Sequence, residues 1–195
     1  MERIPVDRFA EFHRIFRNED SEFSEICAEC GGDCEQSAFP TLLPGEKEFI
    51  ARSLNCSVTT FENKYLDTVV IPGGELYVTK FNVVCPALDR QQRCIFRNVK
   101  PVDCKLYPLQ LAESKGKIAY QIDNECPASR VSVVVNRLKR KFEECIPLLG
   151  ISPAWIKALS KFWYEEYDRR KLSQLRKLPD RCERFELKEV LKCRA

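Results

Sequence analysis

The stretch Cys85–Pro108, CPALDRQQRCIFRNVKPVDCKLYP, constrains this chain most, because it holds three cysteines among proline, charged residues and few strong helix formers. A second group, Cys27, Cys30 and Cys34, lies far upstream in CAECGGDC, and the Cys85-Pro86 pair recurs at Cys126-Pro127. Thiols gathered from distant loops need a reason to converge, and the two usual reasons are a metal or a disulfide.

The chain has 11 cysteines, an odd number that fits a complete disulfide framework poorly. The opening residues, MERIPVDRFAEFHRIF, are charged throughout and lack the apolar run of a signal peptide. No apolar run reaches the length that spans a bilayer. A cytoplasmic protein is therefore expected, in a compartment that keeps thiols reduced and favours metal over disulfide.

Charge is uneven. The net value is only +3, so nothing global argues for nucleic acid. Between Asn18 and Glu46 there is no Lys or Arg, while Glu19, Asp20, Glu22, Glu25, Glu29, Asp33 and Glu35 surround the first cysteine group. NRLKRK (136–141) and RRKLSQLRK (169–177) are basic, and such runs are usually solvated helix faces.

Periodicity predicts the frame. Pro5 to Arg17 reads as a helix with Phe9, Phe12 and Phe16 on one side. His13, the sole histidine, is expected to face solvent or be satisfied locally rather than to bind metal. Pro44-Gly45-Glu46 opens a helix ending near Asn55, and Ser57 caps a second one carrying Phe61 and Tyr65. β-branched and aromatic residues flank Pro72-Gly73-Gly74, as in a hairpin leading to Cys85. Lys117–Asp123 reads as a strand, entered from a turn at Ser114–Gly116, that delivers Cys126. Val131 to Leu149 has a helical stripe stopped by Pro147 and Gly150, and Ser152-Pro153 caps the next helix. A short last helix is expected at about 183–192.

The fold class expected is α+β and predominantly helical, with small hairpins and loops presenting the cysteines. Residues 1–128 form the cysteine-cluster domain, and 129–195 form a helical extension packed on it. Cys56, Cys145, Cys182 and Cys193 are isolated, and packing or surface roles suit them.

Cys27-x2-Cys30 can place two thiolates on one metal, and Cys34 extends the group. With one histidine in the chain the site is rich in sulfur, which suits an iron–sulfur cluster or zinc. Cys-Pro pairs also occur at ferredoxin ligands. Spacing alone leaves the metal open.

The sequence resembles the CxxCxxCC cysteine-cluster family of zinc- or iron-chelating domains. Cys27-Ala-Glu-Cys30-Gly-Gly-Asp-Cys34 matches its opening motif, and LLPGEKEFIARSLNCSVTTFENKYL resembles its two-helix segment. CPALDRQQRCIFRNVKPVDCKLYP resembles the central signature, and Cys126-Pro127 corresponds to the last cysteine. The resemblance implies ligands at Cys27, Cys30, Cys34, Cys85, Cys94, Cys104 and Cys126. Where the family has a further cysteine this chain has Asp33, an oxygen ligand or a plain loop residue, and Lys100 stands in place of an arginine before Pro101.

Seven thiolates exceed the four that one cubane cluster needs, so one or two 4Fe–4S clusters are the expected cofactor, with zinc as the alternative. The function expected is electron transfer, cluster delivery or support of a partner enzyme, in contact with another protein and not with a membrane. Whether the chain is itself an enzyme stays open. A metal-dependent protein-modifying activity such as lysine methylation, which occurs in a longer related protein class, is one alternative. A zinc-binding structural adaptor is the other. The C-x3-C-x2-C signature of radical S-adenosylmethionine enzymes is not met, and neither a catalytic triad nor a phosphate loop is present.

Overall fold

A computed structural model describes residues 3–16, 25–26, 29–30, 40–71, 74–80, 85–90, 94–96, 99–124 and 126–162. Within them the fold is α+β with helices predominating.

Helix α1, Val6–Ile15, buries Phe9 and Phe12 completely, with Phe16 following in the core. His13 is buried as well, stacked on Phe49 with ring centroids 4.8 Å apart. Of the two states the sequence suggested, solvent-facing or satisfied, the structure removes the first, because a neighbouring helix packs over the ring. That neighbour is α2, Glu46–Ser53.

Its entry residue Gly45 has φ +93°, and a Cβ there would sit 2.4 Å from the Ile4 carbonyl oxygen. Only glycine allows both the left-handed backbone and that close approach. Asn55 ends the segment with φ +55°, and Ser57 then caps α3, Val58–Tyr65, its Oγ accepting the Thr60 amide at 3.1 Å. Phe61 and Tyr65 meet one turn apart with centroids at 5.3 Å.

The chain passes directly into β2, Leu66–Ile71, which pairs antiparallel with β3, Gly74–Thr79. A two-residue strand β1, Thr41–Leu42, flanks β3 on its other side, giving the order β1-β3-β2. Val69 and Ile71 point inward while Val70 is 75% exposed, so the period-two pattern holds at this end of the strand.

A short helix α4, Val102–Leu106, precedes a second hairpin of β4, Leu109–Ser114, and β5, Lys117–Ile122. Lys115 (φ +51°) and Gly116 (φ +77°) form its two-residue turn, the positive-φ pair that matches strand twist. The sequence predicted β5 alone. Its partner β4, LQLAES, carries no β-branched or aromatic residue, which hid it.

After a 3-10 turn at Pro127–Arg130 comes α5, Ser132–Leu149, whose buried stripe is Val134, Val135, Leu138, Phe142, Cys145, Ile146 and Leu149. The helix runs through Pro147 and stops only at Gly150, which is left-handed at φ +59°. Pro147 lies in the last turn on the exposed face, so the carbonyl it leaves unpaired can turn to water. Helix α6, Pro153–Lys161, has Ser152 at its N-cap, but the Ser152 carbonyl rather than its side chain receives the first amides, those of Trp155 and Ile156.

Helix α5 packs on α1, and α6 packs on β4 and β5. One cluster of buried apolar side chains takes in residues from all six helices and from β1 to β4. No helix among the described residues is long and apolar enough to cross a membrane. The expected last helix, Trp163 and the RRKLSQLRK segment lie outside the described residues.

Candidate metal centre

Two of the expected ligands, Cys85 and Cys94, come from turns of one irregular stretch, and a third, Cys104, from the short helix that follows it. The Cys85 carbonyl accepts the Leu88 amide at 3.1 Å, and Leu88 in turn forms an isolated antiparallel bridge with Cys94. The Ile95 amide donates to the Ala87 carbonyl at 2.8 Å. These bonds fold the Cys85 and Cys94 loops back on each other without a regular strand. Phe96 anchors them: it is buried, with its ring 5.2 Å from Tyr65 and 5.7 Å from Phe61 on α3.

Cys104 sits inside α4, which is held from both sides. Val102 and Leu106 are fully buried. The Val102 amide donates to a carboxyl oxygen of Glu46 at 2.6 Å, and Asp103 Oδ2 accepts the Thr41 amide at 3.1 Å. So placed, the Cys104 thiol has its pKa pushed well up by burial, then by the charges of Asp103, Cys94 and Cys85, with Lys100 opposing. The charges of Cys85 and Cys94 thus reach Cys104. A raised thiol pKa is the reverse of what a nucleophilic cysteine needs. Crowded, desolvated sulfurs are the arrangement that a bound cation relieves.

Lys105, next along α4, is buried too. Its Nζ donates to the Phe16 carbonyl at 3.2 Å, and burial, with Lys100 and Lys141 nearby, lowers its pKa to about 8.

Cys126 occupies the N-cap of the 3-10 turn. Its carbonyl accepts the Ser129 amide at 2.9 Å and the Ser129 hydroxyl at 2.7 Å. Burial raises its pKa, the backbone amides of Ala128 and Ser129 act the other way, and Asp123 and Cys30 add to the rise. The charge of Cys30 thus reaches Cys126. Amide-to-sulfur hydrogen bonds are a known lever on iron–sulfur potentials. The Cys104 helix and the Cys126 loop are tied together as well: the Tyr107 hydroxyl donates to Asp123 Oδ2 at 2.9 Å, and the Asp123 amide donates to the Pro108 carbonyl at 2.9 Å.

Cys27, Cys34 and Asp33, expected in the same centre, lie outside the described residues. Among the described residues no group of three or more His, Cys, Asp or Glu side chains stands in an arrangement that holds a metal ion, and no described cysteine is in a disulfide. Cys56 donates from Sγ to the Ala51 carbonyl at 3.6 Å and packs against the core as a small apolar residue. Cys145 is wholly buried in α5, its pKa pushed to about 11 chiefly by burial and then by Glu144. Cys182 and Cys193 lie outside the described residues.

The residue that sequence reading missed is Glu46. A glutamate in the first turn of a helix suits the dipole and attracts no further attention. Its engagement with Val102 depends on a contact 56 residues away that no local pattern encodes. The chain matches no family model, no curated protein and no solved structure.

Proposed function

We propose that this chain is a cysteine-cluster protein binding iron–sulfur in the cytoplasm, and that its cluster serves electron transfer, cluster delivery or a partner enzyme. The observation that carries the reading is that Cys85 and Cys94, from two turns, act electrostatically on Cys104 in α4, with none of the three in a disulfide. The donor chemistry agrees. The only histidine in the chain is stacked on Phe49, leaving sulfur, and Asp33 in oxygen, as the donors. Soft thiolates suit iron–sulfur or zinc. The ligands are Cys27, Cys30, Cys34, Cys85, Cys94, Cys104 and Cys126, with Asp33 next, as the resemblance to the CxxCxxCC family implies. A bound cluster supplies reversible one-electron chemistry. The chain itself orients thiols through α4 and the Phe96 anchor and directs amides at Cys126.

Anaerobic purification followed by iron and sulfide analysis and electron paramagnetic resonance tests this. A brown protein with iron and acid-labile sulfide is expected, losing most of both in C94A and C104A. A colourless protein with stoichiometric zinc would turn the reading to the structural adaptor. Protein without any metal after reconstitution would remove it.

A further inference from the structure

Glu46 opens α2, yet its side chain turns inward and is 0% exposed. One carboxyl oxygen accepts the Leu43 amide at 2.8 Å, the other the Val102 amide at 2.6 Å. The Val102 amide begins α4, a five-residue helix preceded by Pro101 and lacking any side-chain cap of its own. First-turn amides have no partner within a helix and must find one elsewhere. Glu46 provides by tertiary contact what the local sequence omits. The same β1–α2 segment grips α4 a second time, through the Thr41 amide and Asp103. Cys104 lies two residues beyond Val102 on that short helix, so the direction of α4 sets where its thiol points.

We propose that Glu46 is a positioning residue of the metal centre, holding α4 so that the Cys104 sulfur faces Cys85 and Cys94. This rests on the metal reading above. Loss of the Val102 hydrogen bond, directly or through a side chain shifted by loss of the Leu43 one, frees the first turn of α4 to fray while the rest of the core stays packed.

The test compares wild type with E46Q. Glutamine keeps the size of the side chain but has one acceptor oxygen instead of two, so one amide is abandoned. In metal-free, reduced protein, iodoacetamide labelling of Cys104 and Cys145 is followed peptide by peptide. In E46Q, Cys104 should label about tenfold faster, the opening expected from one lost buried hydrogen bond, with Cys145 unchanged. After anaerobic reconstitution E46Q should hold less iron and give an altered paramagnetic spectrum. E46D, too short to reach both amides, serves the same comparison if E46Q does not fold.

Equal acceleration at Cys104 and Cys145 would mean a merely global effect and overturn the role. So would wild type and E46Q with the same labelling, iron content and spectrum, and that outcome leaves the metal reading intact. Wild type without metal would instead remove the reading on which the role rests.

Discussion

A carboxyl group with no exposure makes a pH statement about the whole protein. Burial raises the pKa of Glu46 from 4.5 to about 8, against the two amides that favour its charged form and with Asp103 adding to the rise. The folded chain then holds a proton that the unfolded chain has already released. The contribution of Glu46 to stability is fully present below the ordinary carboxyl pKa and is lost as pH rises from about 4.5 to about 8. The decline is on the order of a few kcal/mol, each tenfold difference in proton affinity being worth about 1.4 kcal/mol. Urea unfolding of metal-free protein at several pH values measures it, and E46Q should flatten the slope across that window. None of this was legible in the sequence, where Glu46 is one acidic residue among 29 Asp and Glu. The cysteines were legible as a set, because their types and spacing carry the chemistry. Which of them sit side by side was not.

Elements whose signals are local came through. The Phe9–Phe12–Phe16 stripe, the Ser57 cap and the antiparallel pairing of β2 with β3 all rest on neighbours within a few residues. What was missed or left open rests on partners farther off: β4 needed β5, and His13 needed Phe49. Two glycines separate backbone freedom from space. At Gly45 a Cβ would meet the Ile4 carbonyl oxygen at 2.4 Å, backbone that cannot step aside. At Gly150 it would meet only the end of the Arg8 side chain, at 2.7 Å. Thermal and urea melts should therefore rank the alanine variants clearly. Gly150→Ala should cost about 1 kcal/mol, the strain of a left-handed residue, and Gly45→Ala about 3 kcal/mol or more, since strain and clash add. The Phe96 anchor belongs to this scale too. F96A should cost about 3 kcal/mol, the usual loss for a buried phenylalanine, and should lower iron content together with stability.

At the scale of the molecule, the cysteine loops are fastened to the apolar cluster, with Ala87, Phe96 and Ala128 inside it and Cys85, Cys94 and Cys126 packed against it, while most of the cluster lies outside those loops. The cluster spans helices at both ends of the described chain, whereas Cys85, Cys94 and Cys126 sit in turns held by single backbone bonds. Chelation should then leave far-ultraviolet circular dichroism nearly unchanged and lower the melting temperature. Hydrogen exchange should rise mainly in peptides covering 85–104 and 126–130. A chain that lost all helix on chelation would instead show that the metal nucleates the whole fold. The sequence by itself determined the helical stripes, the β2–β3 pairing and the sulfur-rich donor set, since each follows from residue type and short spacing. Only tertiary structure decided that the charges of Cys94 and Cys85 act on Cys104 and that of Cys30 on Cys126, and that Glu46 reaches Val102. Those are contacts between segments far apart in the chain, selected by how the helices pack and not by any pattern along it.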